Sequence, residues 1–113
     1  MADCIFCDIS KGQTDTDIIF RDDRCFAIHD KNPQAPTHVL IIPFTHITSL
    51  SYMHERNESL IGHLFLVAEH LATREKVNFS GYRLVINQGT DAGQAIEHLH
   101  LHMLGGKPLP HLG

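Results

Sequence analysis

The segment "EHLHLHML" near the C-terminus most constrains what this chain can fold into. His98, His100 and His102 occupy every second position, with large apolar residues between them. Side chains along a β-strand alternate between two faces. A strand over Glu97–Leu104 would therefore gather the three imidazoles on one face and place the apolar residues in the core. On a helix the middle ring would turn roughly 160° away from the other two. The alternation predicts a strand, closed by the glycine pair that follows it.

Four other segments also predict strands. Two of them flank the turn-forming pair Asp22-Asp23 as in a hairpin, one is β-branched and almost wholly apolar, and one precedes the loop "GTDAGQ". In order they are Ile18–Arg21, Cys25–His29, His38–Phe44 and Tyr82–Asn87.

One long helix is predicted between the third and fourth of these strands. Asn57 is a suitable N-cap, and Arg74 and Lys76 suit the negative end of the helix dipole. The apolar residues at three- and four-residue spacing are Leu60, Leu64, Val67, Ala68 and Leu71. Strands on both sides of one helix, with hairpin-like spacing, favour an α+β fold with a mostly antiparallel sheet.

Length and composition limit the possible classes of protein. A chain of 113 residues supports a single core, so we expect one domain over residues 1–113. No apolar run reaches the ~20 residues of a membrane span, and the first residues lack the basic start of a signal peptide. A net charge of −4 argues against a nucleic-acid partner. Three cysteines, an odd number, argue against a disulfide framework. We expect a cytoplasmic protein.

Three imidazoles on one rigid face have several possible uses. They could bind a metal ion, act as base and nucleophile, or pair with an anion. A single histidine on a strand is usually only a half-buried residue with satisfied hydrogen bonds. Three in strict alternation favour chemistry on an anionic substrate, because imidazole is a capable nucleophile towards phosphorus. A neighbouring imidazolium would offset the charge that develops on the phosphoryl oxygens.

The motif "HLHLHML" resembles the His-x-His-x-His pattern of the histidine triad (HIT) family of nucleotide hydrolases and transferases. The likeness extends over nearly the whole chain, through "CIFCDI", "IHDKNPQAPTHVLIIP" and "GYRLVINQGTDAGQAIEHLHLHMLGG". The last two segments are similar to the nucleoside phosphoramidase branch. The resemblance implies two five-stranded sheets joined in a homodimer, with one long helix and a short N-terminal helix in each subunit.

The resemblance also implies roles for the histidines. His100 would be the nucleophile that attacks the α-phosphate, with its other ring nitrogen held by a main-chain carbonyl of the same strand. His102 would contact the phosphate, and His38 would lie beside the triad. His98, the first histidine of the motif, completes the predicted catalytic group.

Six further residues stand at nucleotide-binding positions of the family, and four of them agree with its pattern. Asp30 would accept hydrogen bonds from the ribose hydroxyls, Asn87 would donate to the phosphate, and Gly93 and Gln94 would belong to a loop that closes over it. Two residues depart from the family pattern. Lys31 stands at a base-pocket position that is usually aliphatic, and Ala95 stands where many members have a serine that assists the leaving group.

A separate motif, Cys4-x-x-Cys7, is compatible with a redox pair, half of a zinc site or two packed residues. Some members of the family hold a structural zinc ion with such a motif. The resemblance then implies the four ligands Cys4, Cys7, His46 and His98, a closed Cys2His2 set. Such a site would fix the N-terminal segment to the sheet and would take no part in catalysis. We expect Cys25 to be a small core residue.

The expected function is hydrolysis of a purine nucleoside phosphoramidate through a nucleotidyl-histidine intermediate. Two alternatives remain open at this point. One is a dinucleoside polyphosphate hydrolase or nucleotidyl transferase, which would share the nucleophile. The other is a nucleotide- or zinc-binding regulatory module without significant turnover, an alternative that Lys31 and Ala95 keep open.

Overall fold

The structure is a computed structural model that describes residues 4–112. The expected domain over residues 1–113 therefore extends beyond the described residues at both ends. Two helices and five strands follow one another along the chain: α1 (Ile5–Ser10), β1 (Phe20–Arg21), β2 (Cys25–His29), β3 (Thr37–Pro43), α2 (Glu58–Arg74), β4 (Tyr82–Val85) and β5 (Leu101–Gly105). Short 3-10 turns lie at Leu50–Tyr52, Glu55–Asn57 and Thr90–Ala92.

The five strands form one sheet in the order β1-β2-β3-β5-β4, and every neighbouring pair is antiparallel. The predicted α+β fold is confirmed, with its five strands, one long helix and a short N-terminal helix. Strand β5 lies between β3 and β4, because the long helix carries the chain past β3 before β4 and β5 are added. The histidine-rich segment therefore enters the middle of the sheet, close to the earlier strands.

The long helix α2 covers one face of the sheet. Its apolar stripe packs against alternate residues of β2, β3 and β5, among them Ala27, Ile41 and Met103, which are fully buried. Cys25 is also fully buried in this cluster, as expected. Burial, followed by the nearby Asp22 carboxylate, raises the pKa of its thiol to about 12.

The short helix α1 covers part of the opposite face. Phe6 and Ile9 pack there on residues of β2 and β3, which include Ile28 and Leu40. The cross-strand register places Ile28 opposite Leu40 and Leu40 opposite His102. One row of side chains therefore runs across the sheet from an apolar residue of β2 to a histidine of β5.

The last strand begins later than the alternation predicts. It starts at Leu101, whereas the prediction began at Glu97, so that His98 and His100 precede the strand. The main-chain N–H of Leu99 donates to the carbonyl of Ile47 at 2.6 Å, outside the ladder of the sheet. The chain bends at residues 96–98, and the prediction that all three imidazoles share one face of a regular strand is therefore wrong in its first half.

Other predicted boundaries differ as well, and β3 spans Thr37–Pro43 instead of His38–Phe44. Strand β1 starts at Phe20 instead of Ile18, and β4 ends at Val85 instead of Asn87, where the chain leaves the sheet for a loop. Asn57 precedes α2 but makes no side-chain cap for it. Its Oδ1 accepts from the N–H of His54 at 2.8 Å and thereby stabilises the preceding 3-10 turn. Within residues 4–112, no helix has the length and apolar character that crossing a membrane would require.

Candidate functional site

A cavity of about 480 Å³ opens on the α1 face of the sheet. Its volume lies in the range of roughly 300–1,000 Å³ that is typical of small-molecule sites. His100 and His102 line it together with the other predicted nucleotide-binding residues, which are Asp30, Lys31, Asn87, Gly93, Gln94 and Ala95. The structure thus brings the predicted nucleotide-binding residues to one cavity, while the role of each stays a prediction.

His100 is held in one orientation by its own segment. Its Nδ1 lies 2.7 Å from the main-chain oxygen of His98. A carbonyl oxygen only accepts, so Nδ1 carries the proton and donates it, and in the neutral ring the lone pair is on Nε2. The bend before β5 creates this arrangement, because it directs the His98 carbonyl towards the ring two residues later. His100 therefore has the tautomer that a nucleophile needs.

His38 and His102 form a second ordered pair. The N–H of Gln34 donates to Nδ1 of His38 at 3.0 Å, so the proton of the neutral His38 ring is on Nε2. This Nε2 lies 2.9 Å from Nδ1 of His102 and 3.4 Å from Oδ2 of Asp30. Nδ1 of His102 then accepts, which leaves the proton of His102 on its Nε2. His102 is thus set as a hydrogen-bond donor beside His100, with ring centroids 4.9 Å apart.

Burial favours the neutral form of these rings. Desolvation lowers the pKa of His38 and of His100, although the Asp30 carboxylate opposes the shift in both. Burial, followed by the repulsive charges of His100 and His38, lowers the pKa of His102 to about 4. Neutral imidazoles keep the lone pairs and N–H donors that the hydrogen-bond network assigns.

The loop after β4 is closed by its own hydrogen bonds. The side-chain amide of Gln94 donates to the carbonyls of Thr48 and Ile96 at 2.9 and 3.2 Å, and its oxygen accepts from the N–H of Gly89 at 2.9 Å. Gly93 has a φ of 82°, a left-handed conformation that glycine adopts without strain. Gln94 therefore shapes the loop, since both hydrogens of its amide nitrogen are already in use.

Asn87 closes the same loop from the end of β4. Its Nδ2 donates to the carbonyl of Ala92 at 2.7 Å. An amide nitrogen has two hydrogens, so one remains for a ligand in the cavity. Ala95, at this wall of the cavity, has no hydroxyl group. A leaving group therefore receives no hydrogen bond from this side chain.

The thiols of α1 and two imidazoles converge beside the cavity. The ligand atoms of Cys4, Cys7, His46 and His98 lie within 4.8 Å of one another. Nδ1 of His98 lies 3.3 Å from Sγ of Cys4 and 3.7 Å from Sγ of Cys7, and Nδ1 of His46 lies 3.4 Å from Sγ of Cys7. A tetrahedral zinc ion separates its sulfur and nitrogen ligands by about 3.6 Å. The donor set and its spacing therefore fit zinc.

His98 is oriented for this cluster and is turned away from the cavity. Its Nε2 lies 2.8 Å from the carbonyl oxygen of Pro43, so Nε2 carries the proton and the Nδ1 lone pair points to the thiols. In metal sites the second ring nitrogen of a ligating histidine usually donates its proton to a carboxylate, a main-chain carbonyl or a water, and this contact fixes the tautomer. His98 has 1% of its surface exposed and does not line the cavity, so its predicted place in the catalytic group stays a prediction.

Phe6 connects the cluster to the cavity, and the sequence reasoning missed it. Its ring packs edge-on against His98 and His100, with centroid distances of 5.7 and 5.0 Å. Phe6 lies between the two cysteines in the chain, on a helix whose N-cap is Cys4. The sequence did contain a signal for this role, because Phe6 lies within the CxxC motif. A contact that holds the two cysteine side chains in place also holds the aromatic ring between them.

Comparisons with known proteins identify the family. The HIT domain family matches residues 11–109. The chain therefore belongs to the histidine triad family. It is 39% identical over 105 residues, 93% of this chain and 88% of the relative, to a protein of Escherichia coli (strain K12) named purine nucleoside phosphoramidase.

Solved structures of HIT proteins have the same fold. A HIT family hydrolase from Legionella pneumophila superposes with a TM-score of 0.93 at 38% identity, covering 96% of each chain. A histidine triad protein from Clostridium difficile superposes with a TM-score of 0.95 at 36% identity, covering 100% of this chain and 98% of that one. The resemblance recognised in "HLHLHML" is confirmed. These relatives support a hydrolase of the HIT family.

Proposed function

We propose that this protein hydrolyses purine nucleoside 5′-phosphoramidates through a covalent nucleotidyl-His100 intermediate. One observation carries the proposal: His100 lines the cavity with its Nδ1 proton bound to the His98 carbonyl, which leaves Nε2 as the nucleophilic atom. The E. coli relative is named a purine nucleoside phosphoramidase, which supports this leaving group.

Two displacements at phosphorus make up the reaction. In the first, the Nε2 lone pair of His100 forms a bond to the α-phosphorus, the P–N bond of the substrate breaks, and the amine departs with a proton from solvent. In the second, water attacks the same phosphorus, loses a proton, and the phosphorus–His100 bond breaks. The products are a nucleoside monophosphate and a free amine, and splitting the reaction in this way lowers each barrier.

The remaining polar groups stabilise the phosphoryl oxygens in both displacements. Nε2–H of His102 and the second hydrogen of the Asn87 amide are fixed before the substrate binds, so they reorganise little as charge develops. The His38 imidazole holds the proton of His102 on the side of the cavity. Asp30, which borders the same cavity, would accept from the ribose hydroxyls.

The test is a search for the covalent intermediate. Wild-type protein is mixed with adenosine 5′-phosphoramidate, quenched on the millisecond scale and analysed by intact mass, while ammonia release is followed in parallel. His100→Ala should lose the adduct and at least on the order of 10³-fold in kcat, because no other lone pair replaces Nε2. His70→Ala, an exposed histidine on α2, is the matched control and should retain both. Turnover by the His100 variant at the wild-type rate would contradict the assignment.

A substrate panel tests the leaving group. The ratio kcat/KM is compared for adenosine 5′-phosphoramidate, an adenosine 5′-phosphoramidate whose amine is the side chain of lysine, and diadenosine polyphosphates. A preference for the phosphorus–nitrogen substrates supports the proposal. A preference for the polyphosphates would assign the protein to dinucleoside polyphosphate hydrolysis with the same nucleophile. Tight binding of AMP with neither adduct nor turnover would identify a regulatory module.

We also propose that Cys4, Cys7, His46 and His98 hold a structural zinc ion. The proposal is supported by the mutual distances of the ligand atoms and by the His98 tautomer that the Pro43 carbonyl selects. The ion, when bound, would tie α1 to the segment that precedes β5. The four protein ligands would fill all four coordination positions of the zinc ion, so the site has no place for a reacting water. Thiolate ligands of this kind persist in a reducing compartment, and we propose the cytoplasm as the location.

A homodimer is proposed from the surfaces of α2 and β4. Phe65 and Leu66 on α2 are 43% and 72% exposed, which is unusual for large apolar side chains on one helix. Strand β4 lies at the edge of the sheet and has an unpaired side. A second copy would cover both features. Sedimentation equilibrium measures the assembly, and Leu66→Glu should shift it towards the monomer.

A further inference from the structure

The strand order gives the cavity two distinct ends. Its floor includes the row Ile28, Leu40 and His102, which crosses the sheet from β2 through β3 to β5. The β5 end holds His100, His102 and the loop that follows β4. The β2 end holds the segment that follows β2. If the α-phosphate is bound at the histidines, as the proposed function requires, the nucleoside must extend towards β2.

The β2 end has apolar walls and a small number of polar groups. Ile9 and Ile28 provide the apolar surface that the flat faces of a base require. The polar residues that border this end are Thr16, His29, Asp30, Lys31 and Asn32. Lys31 is the cation among them.

Lys31 extends from a short, fixed turn. The Oδ1 atom of Asp30 accepts from the main-chain N–H of Asn32 at 2.9 Å, which closes an Asx turn around Lys31. Within residues 4–112, no carboxylate oxygen lies within 4.0 Å of the Lys31 ammonium. The side chain is exposed, so its charge is available to a ligand in the cavity.

An ammonium group discriminates between purines because it donates and never accepts. Guanine and hypoxanthine present two neighbouring acceptors, O6 and N7, along one edge. Adenine presents N7 beside an amino group, which is a donor and is repelled by a cation. A lysine facing this edge therefore favours a 6-oxopurine.

We propose that Lys31 determines the base specificity of this protein and selects 6-oxopurine nucleotides, guanosine and inosine 5′-phosphate derivatives, over adenosine derivatives. The inference rests on the proposed function only for the orientation of the nucleotide. It assigns a purpose to the residue that departs from the family pattern. Because Lys31 is solvated, we expect the smaller part of the range for such contacts, about fivefold to tenfold in affinity.

The experiment measures binding without turnover. Dissociation constants for GMP, IMP and AMP are determined by calorimetry on wild-type protein and on Lys31→Met, Lys31→Arg and Lys107→Met. GMP and IMP should bind about fivefold to tenfold more tightly than AMP to the wild type. Lys31→Met should reduce this ratio to less than twofold, while Lys31→Arg should keep it. Lys107→Met removes an exposed lysine that does not border the cavity and should leave the ratio unchanged.

The outcomes separate this inference from the proposed chemistry. AMP binding as tightly as GMP to the wild type, or an unchanged ratio in Lys31→Met, would overturn the role of Lys31 and leave the nucleophile untouched. A clear GMP preference that depends on Lys31, in a protein that forms no covalent adduct, would support Lys31 and refute the phosphoramidase. If none of the three monophosphates binds, the role of Lys31 fails, and the adduct experiment decides on the proposed chemistry by itself.

Discussion

The two faces of the sheet share their strands but differ in chemistry. On the α2 face, Leu101 and Met103 of β5 are buried in an apolar cluster closed by the long helix. On the α1 face, His102 of the same strand borders an open cavity. The short helix α1 covers only part of this second face, and thiols and imidazoles stand beside it. Successive side chains of the five-residue strand β5 therefore point alternately into the apolar core and towards the cavity.

This difference indicates how the chain separates stability from function. The free energy of unfolding should depend mainly on the α2 face, where apolar side chains are removed from water. Positions of reacting groups should depend on the α1 face, where the order of the imidazoles depends on carbonyl acceptors and on the thiol cluster. Substitutions on each face should therefore affect different measurements.

The largest effect on stability is expected at Met103. Met103→Ala should lower the free energy of unfolding by about 3 kcal/mol, because it leaves a cavity against α2 at a fully buried position. Urea denaturation measures the loss, and the adduct-forming activity of the folded protein should be retained. Leu104→Ala, at the neighbouring half-buried position, serves as the control and should cost clearly less. A loss below about 1 kcal/mol for the Met103 variant would contradict the division between the faces.

A smaller effect is expected at the thiol cluster. The double variant Cys4→Ser, Cys7→Ser should lose bound zinc and on the order of 2 kcal/mol of stability. It should also lower the yield of the His100 adduct about tenfold, because Phe6 and the His98 carbonyl would lose their fixed positions. Metal analysis of protein purified without chelator provides a measurement independent of activity.

The matched control for the thiol cluster is Cys25→Ala, which removes a thiol on the α2 face. It should keep a full equivalent of zinc. Less than about half an equivalent of zinc in the wild type would contradict the proposed metal site. A double serine variant with unchanged stability would instead show that the cluster does not tie α1 to the sheet.

The smallest effect is expected at an ion pair on the edge of the α2 face. Oδ2 of Asp22 lies 2.6 Å from Nε2 of His63, which is on α2. Burial by itself would raise the pKa of Asp22, but the N–H groups of Arg24 and Cys25, together with His63, lower it to about 2. Asp22→Asn keeps the acceptor for the main-chain N–H groups and removes the charge. It should cost about 1 kcal/mol at neutral pH, after allowance for partial exposure to solvent.

The pH dependence of this pair has a defined sign. A carboxyl group whose pKa is lower in the folded state stabilises the protein above its ordinary pKa, near 3.8. This stabilisation is lost as the pH falls from there towards about 2. The difference in unfolding free energy between wild type and Asp22→Asn should therefore shrink in that window. The exposed neighbour Asp23→Asn is the control, and a difference that stays constant down to pH 2.5 would contradict the ion-pair origin.

Local sequence patterns predicted most of the fold. The period of two in β5 and the three- and four-residue spacing in α2 are properties of neighbouring residues, so the strand and helix could be recognised directly. The boundaries were less well predicted, as at Glu97 and Ile18. Each of these strands starts later than predicted although its partner strand continues, to Pro43 of β3 and to His29 of β2. The tie between Leu99 and Ile47 depends on a segment that no local pattern reports.

The sequence by itself determined the family and the α+β class, because a rare ordered motif carries that information in neighbouring residues. The same motif singled out His100 as the candidate nucleophile, which stays a prediction. The resemblance also implied a main-chain carbonyl beside the His100 ring, but only the tertiary structure decided which nitrogen of His98 and of His102 is available. It also turned His98 towards Cys4, 94 residues away in sequence, and away from the cavity. The physical reason is that these tautomers depend on hydrogen-bond partners from distant segments, Pro43 for His98 and His38 for His102. A linear pattern does not specify those distances.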